Sequence, residues 1–326
     1  MVIDQILCKN IPRLNKGRYI FDCSLKRDRK QLEKLKQIPK GNAQNSLFWH
    51  LKRHNHINAS EASEVLGNSY KSILKKKVMP YLHRSSSGLA SELGHRYEPI
   101  SVLINELKTK KKIHDFESIE HPVHTFLAAS PDGIDDDGIM KEIKNPRVRE
   151  IIGVPKPEYW VQTQIQMACC DLNACDFIES YITEYACKEY YDEDTTTEYK
   201  GCIIEHWDTT DKCHRFYSDP NISLKQIIKW KKPILDEIRH KNITKDDTII
   251  NEVYWKLEKY SCFRVYRDRC WFSSVLQKFK QFWDEVENYR VNGIPDNLVI
   301  KKRVNKEDNT NKNEPVKCLI DDNSDY

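Results

Sequence analysis

A chain of 326 residues, 39% of them apolar, can bury a sizeable core as one large α/β domain or two small ones, which excludes fibrous and wholly disordered classes. Lys and Arg number 53 against 49 Asp and Glu, a formal charge of +4, so basic character is local rather than global. Eleven cysteines, odd in number and without a CxxC pair, exclude a disulfide framework and a zinc ribbon and read as reduced thiols of an intracellular protein.

The opening MVIDQILCKNIPRLNKGRYIF lacks the apolar centre of a signal peptide, and no later run approaches ~18 apolar residues, so a soluble chain without a membrane span is expected. Residues 1–45 read as a polar, lysine-rich arm with a short helix around KRDRKQLEKLKQ. A domain then runs from residue 46 to 300, its core at about 47–210. In SLFWHLKRHNHINASEASEVLG, the triplet NAS is an N-cap signature that opens a helix at Glu61. His50, His54 and His56 cluster in the same segment but have no carboxylate partner at zinc spacing. SGLASELGHRYEPISVLINELK has a helical pattern on both sides of Pro99, which cannot donate the backbone bond of a helix interior; a kink or restart there puts Glu98 at the joint. The lysine clusters at 75–77, 108–112 and 225–241 suit either phosphate contact or a solvated helix face.

DFESIEHPVHTFLAASPDGI and GIMKEIKNP read as strands, with DDDG as the turn between the last two. A proline-rich loop leads to the helix YWVQTQIQMACCDL, and ACDFIESYITEY and YKGCIIEHWD read as further strands with EYYDEDTTTEYK as a hairpin tip. Residues 222–300 read as a helical C-terminal part and 301–326 as a disordered tail. The fold expected is α/β, one mixed central β-sheet flanked by helices.

The chemistry concentrates in SPDGIDDDGIMKEIKNP. A hairpin brings Asp132, before the turn, near Glu142, after it, and the two-residue spacing of Glu142 and Lys144 places both on one strand face. Two carboxylates and a lysine on one surface are the minimum for a Mg2+-dependent phosphodiesterase, because hard oxygens hold the ion and the ammonium holds or helps deprotonate a water. The same spacing also suits a solvent-facing strand after a PDG turn. Asp135, Asp136 and Asp137, before Gly138, read as turn residues rather than a metal site. On the helix after Tyr159 the stripe Val161, Ile165, Ala168, Leu172 leaves Gln164 beside it, able to reach the sheet, with Gln162 and Gln166 pointing away.

Together SPDG, KEIKNP and QTQIQM, preceded by FWHLKRHNHINASE and LGHRYEP, resemble in order the motifs of the PD-(D/E)xK nuclease superfamily, and within it the lambda-exonuclease or YqaJ-like viral recombinase group. The resemblance covers Trp49 to Met167 and implies a restriction-endonuclease-like core of lambda-exonuclease type. It implies that Asp132 and Glu142 are metal ligands with the Ile143 carbonyl as a third oxygen, and that Lys144 positions water. Glu98 would complete the acidic site, Gln164 would lie against the catalytic lysine, and Arg53 and Ser60 would hold a 5′-phosphate. The implied activity is a Mg2+-dependent, Mn2+-tolerant 5′→3′ exonuclease on duplex DNA ends, leaving 3′ single strands for an annealing partner in viral or phage recombination or replication. A homotrimeric ring and a virus- or phage-encoded, intracellular protein are implied as well. An endonuclease on DNA or RNA with the same core, or a non-catalytic DNA-binding scaffold, would share part of this pattern.

Overall fold

Segments rich in Ile, Val and aromatic residues pair into a seven-stranded mixed sheet in the spatial order 113–114, 133–135, 140–144, 174–184, 250–266, 200–207 and 213–217, and a three-stranded sheet, in the order 57–58, 127–129 and 119–120, stands beside it. The structure, a computed structural model, describes residues 17–39, 47–67, 69–79, 89–208, 212–241 and 250–295; the tail expected at 301–326 lies outside them. In chain order the elements begin with α1 (Gly17–Leu35), α2 (Leu47–His54), β1 (Ile57–Asn58), a 3₁₀ turn (Ala59–Glu61), α3 (Ala62–Val65), α4 (Tyr70–Val78) and α5 (Leu89–Thr109). Short strands follow: β2 (Ile113–His114), β3 (Ile119–Glu120), β4 (Leu127–Ala129), β5 (Gly133–Asp135) and β6 (Met140–Lys144). Next come α6 (Pro157–Cys170), β7 (Ala174–Glu184), α7 (Lys188–Glu193), β8 (Lys200–Trp207) and β9 (Cys213–Tyr217). The last three are α8 (Leu224–Lys241), β10 (Ile250–Tyr266) and α9 (Arg269–Asn292). No helix among the described residues is long and apolar enough to cross a membrane.

Helices cover both faces of the large sheet, as the sequence predicts. On one face α6, α9, α4 and the end of α1 close the main core, which includes Ile165, Phe177, Phe279 and Phe282. On the other, α5 sets Leu93, Tyr97, Ile100 and Ile104 against Ile182, Ile203 and Trp255. A third, smaller cluster joins Tyr191, Cys202, Ile227 and Tyr254 beneath α7 and α8. Strands β6 and β7 are parallel, with α6 as the crossover that lets two same-direction strands pair.

Four expectations change. The segment read as helical after residue 222 contains β10, a 17-residue strand that pairs antiparallel with both β7 and β8. For that reason EYYDEDTTTEYK is no hairpin tip: β10 separates β7 from β8, and the connection forms α7. The N-terminal arm contains the 19-residue α1, which docks through buried Asp28, Leu32 and Leu35, one face of the helix. Helix α5 is continuous through Pro99, so it does not restart there; the proline removes the bond to the carbonyl of His95, but burial of Tyr97, Ile100 and Ile104 on both sides keeps the chain helical.

Candidate active site

The acidic run that opens the β5–β6 hairpin is structural, as its turn chemistry predicts. Buried Asp135 accepts from the N–H groups of Asp137 (2.9 Å) and Ile139 (3.0 Å), shaping the turn, and Gly138 supplies the positive φ of 77° that the turn requires. Asp136 pairs with His114 Nε2 at 2.7 Å, and Asp137 with Arg29 of α1 and with Lys111. On the sheet face away from the site, Lys141 is fully buried between Asp135 (2.9 Å) and Asp176 (2.6 Å), and Arg264 also grips Asp176. Four charged groups satisfy one another there, which is the condition for burying them.

Beyond that turn the alternation of β6 delivers Glu142 and Lys144 to the face opposite Lys141, as expected from their spacing. Asp132, just before β5, accepts from the Ile143 N–H at 2.6 Å, which seats it beside the same strand. The Lys144 ammonium bonds Glu142 and stands 5.3 Å from the Tyr159 ring centroid. Burial opposes its charge, but the Glu142 and Asp132 carboxylates outweigh burial and hold Lys144 above the ordinary lysine range. Glu98 projects from α5 into the same cleft, a space of about 330 Å³ lined also by Gly94, His95, Asp132, Ile143, Asn145, Arg149 and Tyr159. Burial and the charge of Glu142 push Glu98 up to about 7, Lys144 opposing. Asp132 is raised well above the usual carboxylate range by burial and by the charges of Glu142 and Glu98. Three carboxylates thus share one ammonium.

Gln164 is where sequence reasoning chose the wrong residue. Its amide donates to the Tyr266 carbonyl at 2.9 Å and accepts from the Asp268 N–H at 2.7 Å, tying α6 to the loop between β10 and α9. The glutamines that reach Glu142 are Gln162, bonding Oε1 at 2.7 Å, and Gln166, bonding Oε2 at 2.6 Å. An apolar stripe marks the buried side of a helix that has an exposed side, but α6 is buried nearly all round, so the stripe says nothing about which glutamine meets the sheet. The i, i+4 spacing of Gln162 and Gln166, which places both on one face, was the usable signal.

Two further residues escaped the sequence reading. Arg149 pairs with buried Glu179 and lies 5.5 Å from the Tyr159 ring centroid, on the side of the cleft beyond Lys144. Asn145 accepts from Ser101 Oγ at 2.7 Å, fastening the end of β6 to α5 and so setting the distance across the cleft.

Arg53 and Ser60 come together: Arg53 Nη2 donates to Ser60 Oγ at 3.1 Å, and the guanidinium lies 4.7 Å from the Trp49 ring centroid. Burial lowers the Arg53 pKa, against the opposing charge of Glu61. Asn58 caps the 3₁₀ turn, which therefore starts two residues before the helix start expected at Glu61; its amide donates to Glu61 Oε2 at 2.8 Å and to the Arg53 carbonyl at 2.7 Å. Parallel pairing of Asn58 with Ala128 sends Ser60 and Asp132 out of the same end of the small sheet, where the 3₁₀ turn and β4 both pack on α6. Among the described residues no group of three or more His, Cys, Asp or Glu side chains is placed to hold a metal ion unaided.

Residues 48–173 match the family model of the YqaJ-like viral recombinase domain. An alignment over 328 residues is 25% identical to an uncharacterized protein of Acanthamoeba polyphaga mimivirus and covers 86% of this chain; it spans 59% of that relative, less than two thirds of its length. Among solved structures, an alkaline exonuclease from Laribacter hongkongensis is similar with a TM-score of 0.48 and 19% identity, covering 76% of this chain and 95% of that chain. A phage-related exonuclease from Haemophilus somnus has a TM-score of 0.40 and 12% identity, covering 73% and 94%.

Proposed function

Since the chain carries a YqaJ-like viral recombinase domain at residues 48–173, we propose that it is a Mg2+-dependent deoxyribonuclease that digests duplex DNA from a 5′ end, leaving a 3′ single strand for recombination or replication of a viral genome. The observation that carries this reading is the convergence of Asp132, Glu98 and Lys144 on one open cleft, with buried Glu142 bonded to Lys144 behind it and Arg53 bonded to Ser60.

The donor set fits a hard divalent cation. Carboxylate oxygens are its preferred ligands, and the mutual repulsion that raises Asp132 and Glu98 is what a positive ion between them would relieve. Asp132, Glu142 and the Ile143 carbonyl would hold it, with Mn2+ as a substitute and Glu98 acting through water. Such an ion supplies Lewis-acid stabilisation of the phosphate and an activated water. Lys144, held protonated by Glu142 and Asp132, serves as a hydrogen-bond donor that orients the attacking water or a phosphate oxygen. Gln162 and Gln166 fix both oxygens of Glu142, so that carboxylate keeps one orientation through the reaction. The Arg53 guanidinium and Ser60 hydroxyl offer a terminal 5′-phosphate a forked donor and a second hydrogen bond.

Linear duplexes labelled at the 5′ or 3′ end, with and without a 5′-phosphate, test the reading. Mononucleotides should leave from the 5′ end, faster when it is phosphorylated, and Asp132→Ala or Lys144→Ala should abolish Mg2+-dependent digestion while leaving a folded protein. Cleavage of closed circular DNA at a comparable rate would replace the exonuclease by an endonuclease. A homotrimer encircling duplex DNA and an annealing partner that takes the 3′ strand belong to the same proposal; light scattering showing a stable monomer would remove the ring.

A further inference from the structure

Over residues 25–39, α1 and its end carry six Lys and Arg against two acidic residues. Three of the six are engaged: Arg27 with Asp171 at 2.5 Å, Arg29 with Asp137 at 2.5 Å and Lys36 with Glu33 at 2.9 Å. The side chains of Lys26, Lys30 and Lys34 form no ion pair or hydrogen bond among the described residues. Their i, i+4, i+8 spacing sets them in one row about 12 Å long. With Arg27 and Gln31 the row lines a concave surface of about 400 Å³ that has Asp171 as its single acidic residue. Asp171 does not neutralise it, because its two oxygens are taken by Arg27 and Arg267. Arg269, beside them, is held below the ordinary arginine range by burial and by the charges of Arg267 and Arg27, as expected where positive charge is in excess.

The row is fixed to the catalytic hairpin. Arg29 binds Asp137 at its tip, and a Cβ on Gly138 would stand 2.5 Å from the Asp28 backbone, so helix and turn are in direct contact. Asp171 ends α6, twelve residues beyond Tyr159 of the cleft wall, or about 18 Å along the helix. A run of phosphates that reaches the cleft can therefore also reach the row, since 18 Å is about five base pairs of duplex. Over residues 25–39 the one exposed large hydrophobic side chain is Ile38, which does not line the concave surface, so the lysine face lacks the apolar anchors on which protein partners dock.

We propose that the Lys26, Lys30 and Lys34 face of α1 is a second duplex-DNA surface, which holds the backbone of the same duplex whose end lies in the cleft. This rests on the nuclease reading and adds to it a built-in grip away from the reacting end. The test is binding of the full chain to a duplex of about 30 base pairs in EDTA over a salt series, comparing wild type, the triple variant Lys26→Ala, Lys30→Ala, Lys34→Ala and the corresponding triple arginine variant. The alanine variant should bind about tenfold more weakly, with the slope of log Kd against log salt reduced by about 2.7, that is about 0.9 for each lost phosphate contact, and arginine should restore both. Thermal melting equal to wild type shows that the loss is not one of folding. An alanine variant with the wild-type affinity and slope would overturn the surface and leave the nuclease reading standing. Wild type that neither binds nor cleaves duplex DNA would overturn both. Unchanged duplex binding together with lost binding of a polyglutamate probe would assign the face to an acidic protein instead.

Discussion

Glu142 is held by three donors on two elements, Lys144 from its own strand and Gln162 and Gln166 from α6, whereas Gln164, between those two glutamines, serves the fold. The two kinds of glutamine should separate in experiment. Gln162→Ala removes a partly exposed donor to the carboxylate proposed to hold the metal and should lower turnover or metal affinity by about 10–100-fold, with a melting temperature near wild type. Gln164→Ala removes the bonds to the Asp268 N–H and the Tyr266 carbonyl and should cost about 1–3 kcal/mol of stability while sparing turnover at temperatures where the protein stays folded. Turnover and thermal melting of both variants check this; the reverse pattern would return the catalytic role to Gln164. Asp132, Glu142 and Lys144 were legible in the sequence because a strand has a strict period of two and a tight turn folds it back on itself. The glutamines were not, because a helix buried on nearly every side has no polar face to orient it.

The element that joins site to scaffold is the β5–β6 hairpin, gripped at its tip by α1. Gly138 has φ 77°, and an added Cβ would meet the Asp28 backbone at 2.5 Å. Gly138→Ala should therefore destabilise by about 1–3 kcal/mol, read as a lower midpoint in urea; a midpoint equal to wild type would mean that α1 does not dock there. The turn was readable from DDDG, but its contact with α1 was not, since nothing local in either segment records a partner about a hundred residues away. The corner carrying Arg53 and Ser60 depends on a buried pair, Glu61 with Lys77 at 2.7 Å, to which Lys76 adds a second ammonium at 2.7 Å. Burial dominates for Lys77, lowering it to about 8, whereas for Glu61 burial is overcome by Lys77 and Lys76, which bring it to about 2. The carboxylate faces two ammoniums and the Asn58 amide, the Lys77 ammonium only one carboxylate, and so both are charged near neutral pH but the carboxylate holds its charge the more firmly. Its folded pKa lies below the unfolded value of about 4.5, so its stabilising effect is full above that pH and is lost as pH falls toward 2. Glu61→Gln should flatten that acid limb in equilibrium unfolding and, by stranding the Lys77 ammonium, cost about 3–5 kcal/mol near neutral pH. An unaltered acid limb would mean that other carboxylates set it.

At the scale of the whole molecule the decisive element is β10. Mixed α/β layering and the order of the early motifs could be read from periodicity, but the place of β10 could not. Its sequence, INEVYWKLEKYSCFRVY, mixes charges into both sides because one stretch of it is half exposed, and a register shift between Leu257 and Lys259 breaks the alternation. Nor does local order reveal that a late strand enters between two earlier ones, a pairing with β7 that contact across about seventy to ninety residues alone creates. Eleven residues of β10 pair with β7 and seven with β8, so it holds together the half of the sheet that carries the cleft and the half that does not. Removing it would bare the inner edges of both neighbours and the face that covers Trp255, which is fully buried. A chain ended at Tyr217 keeps Asp132, Glu142, Lys144, Arg53 and Ser60, and if residues 222–300 were an appendage it would fold and cut DNA. The expected result is the opposite: no cooperative thermal transition, aggregation, and no nuclease activity. A chain ended at residue 295 retains every described element and should melt cooperatively. Calorimetry and gel-based digestion on the two truncations decide it, and an active, cooperatively melting chain ended at Tyr217 would show that the catalytic half needs no strand from beyond it.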